Sequence, residues 1–77
     1  MMRELYGTST CPFTRDLRED LDWEGHDFIE YDVERDPEAM RRLSALCGAP
    51  AAVPVLVENG RVVQVGVRGR SCYVTPA

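Results

Sequence analysis

The apolar and polar positions of this chain alternate in a way that predicts short strands and two helices. A short apolar stretch at 3–7 (RELYG) ends in glycine and predicts a first strand. Apolar residues then recur every four positions, which predicts a helix that opens at Cys11-Pro12 and ends at Glu24-Gly25. Proline suits the first helical position, because the N–H that it lacks would be unpaired there.

The middle of the chain predicts a second strand and a second helix. Residues 27–33 (DFIEYDV) mix apolar and polar positions as a strand does. Asp36, Pro37 and Glu38 then predict a helix start, with Asp36 as the cap and Glu38 at the positive end of the helix dipole. Gly48 is the predicted C-terminal cap.

The last predicted elements are a buried strand and a hairpin. Residues 53–57 (VPVLV) are continuously apolar, which is typical of a central strand. Asn59-Gly60 then separates it from a β-branched run at 61–65, and this pair is a strong hairpin signal. The predicted order is therefore β-α-β-α-β-β, an α/β fold with a mixed four-stranded sheet. Residues 67–77 show no helical pattern of useful length.

Composition excludes several classes of protein. The 77 residues predict a single domain over 1–77 with a small core. The chain has neither an apolar run of about 18 residues nor a signal-peptide pattern, so we expect no membrane partner and a cytoplasmic location. A net charge of −4 argues against nucleic-acid binding. One histidine and the lack of a Cys-x-x-Cys pair leave no support for a metal site.

Three cysteines are present, and Cys11 is the candidate nucleophile. An odd number in a reducing compartment indicates free thiols, one of which is reactive. At the start of a helix, free N–H groups and the helix dipole favour a thiolate, and either Arg15 or Arg18 could add positive charge. The alternative is an inert core cysteine, although the polar residues before it and Pro12 after it favour reactivity. We expect Cys47 to pack in the core on the apolar side of the second helix.

Pro54 is unusual because it lies within an apolar strand, where it cannot donate a backbone hydrogen bond. An ordinary trans bond is one explanation. A cis bond between Val53 and Pro54 is the other, and it would turn the Val53 backbone outward to pair with a peptide or glutathione. The spacing alone does not choose between them.

Four segments together resemble the glutaredoxins, which have a thioredoxin fold. More closely, residues 5–14 (LYGTSTCPFT) resemble a bacterial glutaredoxin-like group known as the UXX-star family, whose nucleophile is selenocysteine or cysteine. The segments 31–34 (YDVE), 36–38 (DPE) and 53–55 (VPV) fit the same group. The resemblance implies a thioredoxin-like fold, a cysteine form of a selenoprotein group, Cys11 as the attacking residue and a cis Val53-Pro54 bond.

The resemblance also implies a set of site residues. Thr14 occupies the place of the second cysteine of dithiol glutaredoxins, where its hydroxyl can donate a hydrogen bond to the thiolate. The residues implied to bind the substrate flank the nucleophile and the proline: Thr10, Pro12, Phe13, Val53 and Pro54. Thr8 replaces a lysine that holds glutathione in many glutaredoxins, and the acidic pair expected after Gly66 is missing. Glutathione therefore stays a candidate co-substrate, and no tightly bound cofactor is expected.

Cys72 is the candidate resolving thiol. In the fold that the chain resembles, the segment after the hairpin runs back past the active site, so Cys72 could form a disulfide with Cys11 if their Cα atoms lie within about 7 Å. The alternative is a tail cysteine without a role.

Three functions remain open on the sequence. The leading hypothesis is a thiol–disulfide oxidoreductase that acts on a disulfide-containing protein or a small thiol. The second is a non-catalytic binding module that presents Cys11 to a protein or metal partner. Reduction of peroxide or arsenate is a third, without a motif of its own.

Part of the sheet lacks a predicted cover. Glutaredoxins end in a third helix on the same face as the first, and here that helix is short or absent. We expect residues 68–77 to fold over this face, or two chains to pair there as a homodimer. We also expect partly buried rings for Tyr6, Trp23 and Tyr31, and a solvated His26.

Overall fold

The computed structural model describes residues 2–75, which form two helices and six strands, two strands more than the sequence predicts. The elements of this range, in chain order, are β1 (Arg3–Gly7), α1 (Pro12–Glu24), β2 (Ile29–Asp32), α2 (Pro37–Cys47), β3 (Ala51–Val53), β4 (Val55–Glu58), β5 (Arg61–Val65) and β6 (Cys72–Val74). Neither helix of this range is long and apolar enough to cross a membrane.

Four strands form one mixed sheet in the order β2-β1-β4-β5. β1 pairs with β2 in parallel, so α1 is the crossover of a βαβ unit. β4 is antiparallel to β1 and to β5. The remaining strands, β3 and β6, form a separate antiparallel pair. The mixed sheet with two helices fits a glutaredoxin or thioredoxin-like fold.

The two faces of the sheet carry separate hydrophobic clusters. One cluster joins Tyr6, Val55 and Val57 to Met40 and Leu43 of α2. The other joins the alternate strand residues Leu5 and Leu56 to the buried stripe of α1, formed by Leu17 and Leu21. Because side chains alternate along a strand, each helix covers one face of the sheet.

The predicted helix and turn signals are confirmed. The Asp36 carboxylate accepts hydrogen bonds from the backbone N–H groups of Glu38 and Ala39, at 3.1 and 3.2 Å. Asn59 and Gly60 both have positive φ, at 53° and 81°, and connect β4 to β5. Such a turn matches the twist of two antiparallel strands.

The strand predicted over 53–57 is divided at Pro54. β3 ends at Val53 and β4 begins at Val55, because the intervening proline has no N–H to offer a ladder. The Val53-Pro54 bond is cis, as the resemblance implied, and so is the bond between Ala49 and Pro50.

Among the residues described, only Arg68 follows the expectation that the C-terminal segment covers the α1 face of the sheet. Val67 joins the cluster on the α1 side, and Arg68 reaches Asp20 of α1 at 3.4 Å. A tight turn at 67–70 then reverses the chain, and Val74 of β6 packs into the α2-side cluster instead. Residues 76 and 77 lie outside the described range, and pairing of two chains stays a prediction.

Of the three aromatic rings expected to be partly buried, Tyr31 follows the prediction, Tyr6 is more deeply buried and Trp23 is exposed. Tyr6 is buried and stacks on the half-buried Tyr31, with ring centroids 5.1 Å apart. Trp23 is 90% exposed, which contradicts the expected partial burial. It follows Leu21 by two positions, and about 100° per residue turns it away from the buried stripe. His26 is exposed, as predicted.

Candidate active site

Cys11 lies at the junction between the loop after β1 and the start of α1. It is the N-cap residue of the helix, with extended backbone angles, and its side chain is only 3% exposed. Pro12 has no N–H, and the amides of Thr14 and Arg15 bond to the Cys11 carbonyl at 3.1 and 3.4 Å. Within residues 2–75, the Phe13 N–H has no backbone partner, which leaves a donor at the positive end of the helix.

Arg15 and Arg18, the two arginines that could add positive charge at this end of α1, differ in their contacts. Arg18 forms two hydrogen bonds of 2.8 Å to the Glu30 carboxylate on β2, and this pairing raises the pKa of the guanidinium. Arg18 is therefore bound away from the cysteine. Arg15 is exposed, and no acidic residue occupies the first turn of α1. The first turn of α1 therefore carries no negative charge that would oppose a thiolate.

Cys72 is bonded to Cys11. The two residues are 61 positions apart in sequence, and their Cα atoms are 6.2 Å apart. This distance lies within the range required for a disulfide. The cysteine that sequence reasoning left between a resolving thiol and a tail residue is therefore in direct contact with the candidate nucleophile.

The Val53-Pro54 segment lies next to Cys72. Val53 is the register partner of Cys72 in the β3–β6 pair, so the strand edge expected to receive a substrate backbone is covered by β6. On the other side of the proline, its carbonyl accepts a 2.7 Å hydrogen bond from the Gly66 N–H. A Cβ at Gly66 would lie 2.6 Å from the Arg70 carbonyl oxygen, so this turn requires glycine.

Thr14 faces the end of β1. Its side chain is fully buried, and its hydroxyl accepts a hydrogen bond from the Thr8 N–H at 3.4 Å. A Cβ at Gly7 would overlap this side chain, so β1 and α1 approach closely here. A hydrogen bond from the Thr14 hydroxyl to a thiolate at Cys11 stays a prediction.

The other residues implied to bind substrate lie around the disulfide at different depths. Pro12 and Thr10 are exposed, and the Thr10 hydroxyl donates to Glu34 at 3.5 Å. Phe13 is half-buried against the cluster that contains Cys11. They border the site, and their contact with a substrate stays a prediction.

A groove of about 660 Å³ lies between α2 and the residues that follow Cys72 in β6. Its walls include Val33, Met40 and Ser44 on one side and Tyr73 and Val74 on the other. Sequence reasoning missed this groove, because a three-residue strand has too short an alternation to be recognised.

Cys47 does not pack in the core, contrary to the prediction. It is the last residue of α2 and is exposed, since the buried stripe of this helix ends at Leu43. Partial burial nevertheless raises the pKa of its thiol. Within the described residues, no group of three or more histidine, cysteine or acidic side chains is placed to hold a metal ion.

A comparison with protein-family models matches residues 4–63 to the glutaredoxin family. The chain belongs to the glutaredoxin family. Membership suggests thiol–disulfide oxidoreductase activity, the chemistry expected of a cysteine at this helix start. The comparisons with curated proteins and with solved structures found no match.

The family match does not extend over the whole site. It includes Cys11 and the Val53-Pro54 bond, and it ends before Gly66. Cys72 and β6 are therefore features of this glutaredoxin beyond the matched residues.

Proposed function

We propose that this glutaredoxin is a two-cysteine thiol–disulfide oxidoreductase in which Cys11 attacks and Cys72 resolves. The observation that carries the proposal is the bond between these residues, which joins the helix start to β6. A resolving thiol must reach the nucleophile without moving the core of the fold, and Cys72 meets this requirement.

In the first step, the Cys11 thiolate attacks one sulfur of a substrate disulfide. The substrate S–S bond breaks, a new bond joins Cys11 to one substrate sulfur, and the other substrate sulfur leaves as a thiolate. The positive end of α1 and the free Phe13 N–H stabilise the attacking thiolate.

In the second step, the Cys72 thiolate attacks the Cys11 sulfur of this mixed disulfide. The Cys11–Cys72 bond forms and the second substrate thiolate leaves, so the substrate gains the two electrons that the protein dithiol loses. Two equivalents of an external thiol, or one dithiol, then reduce Cys11–Cys72 and restore the starting form.

The substrate class is a disulfide-containing protein or a small disulfide, and glutathione is a candidate electron donor. The proposal includes a cytoplasmic location and no tightly bound cofactor. The cysteine, proline, aromatic and threonine sequence at 11–14 supports a cysteine form of the UXX-star group.

The neighbouring residues have supporting roles in this proposal. Thr14 holds the start of α1 against β1. In the reduced form its hydroxyl donates a hydrogen bond to the Cys11 thiolate. Thr10, Pro12 and Phe13 border the substrate, and the Val53 backbone pairs with it beside Pro54.

The test is turnover of bis(2-hydroxyethyl) disulfide, with glutathione or dithiothreitol as donor, by three serine variants. Cys11→Ser should abolish turnover, because the attacking sulfur is gone. Cys72→Ser should accumulate a mixed disulfide on Cys11, detectable by mass spectrometry, because the internal second step is removed. Cys47→Ser is the matched control and should retain the parent rate.

Two results would contradict the proposal. If Cys72→Ser turned over at the parent rate with both donors and no mixed disulfide, Cys72 would not be the resolving thiol. If Cys11 in the parent reacted no faster than Cys47, the chain would be better described as a binding module that presents Cys11.

A further inference from the structure

The strand β6 covers the sulfur of Cys11. The Cys11 side chain is 3% exposed, and the disulfide places Cys72 of β6 directly on it. A foreign disulfide must approach the Cys11 sulfur in line with its own S–S bond. Reaction with a protein substrate therefore requires β6 to leave its position.

Two features allow β6 to separate from β3. It is three residues long, and within residues 2–75 β3 pairs with no other strand. The preceding turn is closed by its own reciprocal hydrogen bonds between Val67 and Arg70, at 2.8 and 2.9 Å. The turn can therefore stay folded while the residues after it separate from β3.

The side chains of β6 alternate between the protein and solvent. Cys72 faces Cys11, Tyr73 is 72% exposed, and Val74 is 8% exposed within the α2-side cluster. Val74 is the register partner of Ala51, as Cys72 is of Val53. A strand in this place thus needs a cysteine at one position and a small aliphatic side chain two positions later.

We propose that reduction releases β6 from β3, and that the vacated edge and aliphatic site then take an extended segment of a partner protein. The segment runs antiparallel to β3, with its disulfide cysteine opposite Val53 and an aliphatic residue two positions towards its C-terminus opposite Ala51. This inference rests on the proposed function and names the substrate that the site prefers, a Cys-x-aliphatic sequence in an exposed strand.

The same exchange of strands couples resolution to product release. Cys11 attacks the partner's disulfide, the partner's other sulfur leaves as a thiolate, and the first stays bonded to Cys11 along β3. When Cys72 attacks Cys11, the partner's second thiolate is released and β6 returns to the edge that the partner occupied. Because β6 is tethered, its high effective concentration favours this return.

The first test measures the reaction of Cys11 with short peptides. The protein is the reduced double variant Cys47→Ser, Cys72→Ser, which leaves a single thiol. The parent peptide has the sequence of residues 70–75 (RSCYVT) with blocked ends, and its cysteine is activated as the mixed disulfide with 5-thio-2-nitrobenzoate. Attack by Cys11 on the peptide sulfur releases one coloured thiolate, which gives the rate.

Three changed peptides separate the contributions. Serine in place of valine should slow the reaction about tenfold, because the buried aliphatic contact is lost. Alanine in place of tyrosine should leave the rate unchanged, since that position is exposed. The reversed sequence should also be slow, because it puts the valine on the wrong side of the cysteine.

The second test is hydrogen exchange of the parent protein with and without reductant. Amides of 71–75 and of β3 should lose nearly all protection in the dithiol form, while those of β1, which open only on global unfolding, should stay protected.

The outcomes distinguish the two proposals. Equal rates for all peptides, or equal protection of β6 in both redox forms, would overturn the strand exchange. Fast reaction of Cys11 with 5,5′-dithiobis(2-nitrobenzoate) beside such a result would leave the oxidoreductase proposal standing. A Cys11 that reacted with neither the peptides nor the small disulfide would overturn both.

Discussion

Cys11 lies at the N-terminal end of α1, and Cys47 lies at the C-terminal end of α2. Cys11 caps the N-terminus of α1, is buried and is bonded to Cys72. Cys47 ends α2 at the negative end of its dipole, is exposed and has a thiol whose pKa is raised by partial burial. Because the N-terminal end of a helix favours a thiolate and the C-terminal end does not, we expect the two cysteines to differ in reactivity.

The largest expected difference between the two positions is catalytic. Cys11→Ser should lower the rate of disulfide reduction by at least about a thousandfold, because the nucleophile is removed. Cys47→Ser should change the rate by less than about twofold, since Cys47 is exposed at the end of α2. Steady-state reduction of a small disulfide measures both. A comparable loss of rate in the two variants would contradict the proposed difference between Cys11 and Cys47.

Oxidation should stabilise the fold through the Cys11–Cys72 bond, without a contribution from Cys47. Closing a loop between residues 61 positions apart is expected to raise the free energy of unfolding by about 4 kcal/mol relative to the reduced protein. Urea unfolding followed by far-ultraviolet circular dichroism, with and without reductant, measures this difference. Cys72→Ser should show no dependence on reductant, and Cys47→Ser should keep the full dependence.

The reactions of Cys11 and Cys47 should also differ in their dependence on pH. In the reduced protein, iodoacetamide should label Cys11 at neutral pH about tenfold faster than Cys47, because only the thiolate reacts. The Cys47 rate should rise only in the alkaline range, since burial disfavours its charged form and so raises its pKa. Mass spectrometry of the two labelled peptides over a pH series gives both rates. If the labelling rates of the two thiols depended on pH in the same way, this result would contradict the proposed effect of the α1 helix end on Cys11.

The smallest expected effect concerns the hydroxyl groups near the two cysteines. Thr14 is hydrogen-bonded, whereas the Ser44 hydroxyl is buried without a partner in the described part of the chain. Thr14→Val should lower the free energy of unfolding by about 1 kcal/mol, and Ser44→Ala should leave it unchanged or raise it by up to about 1 kcal/mol. Urea unfolding of the oxidised variants measures both. A loss of stability in Ser44→Ala would show that its hydroxyl has a partner in solution.

The elements predicted correctly are those whose signals are local. Asp36-Pro37 marks a helix start and Asn59-Gly60 marks a turn because the capping carboxylate and the positive φ angles involve neighbouring residues only. The helix start at Cys11-Pro12 is of the same kind. The position of the candidate nucleophile at a helix start could therefore be predicted from the sequence alone.

The features that the sequence did not reveal depend on contacts between distant residues. β6 is held by β3 and by the disulfide, and nothing in residues 72–74 alone indicates a strand. The exposure of Cys47 depends on where the buried stripe of α2 ends, which the helical spacing does not contain. The exposure of Trp23, in contrast, follows from its position off the stripe that contains Leu21. The partner of Cys11 was likewise recognisable only as one of two alternatives.

The exposed position of Trp23 has a consequence for spectroscopy. It is the only tryptophan in the chain and is 90% exposed, so its indole is surrounded by water in the folded protein as it is in the unfolded one. Its emission maximum will change little on unfolding, and a fluorescence melt would miss the transition. The buried Tyr6 ring stacked on Tyr31 will give the useful optical signal, in near-ultraviolet circular dichroism.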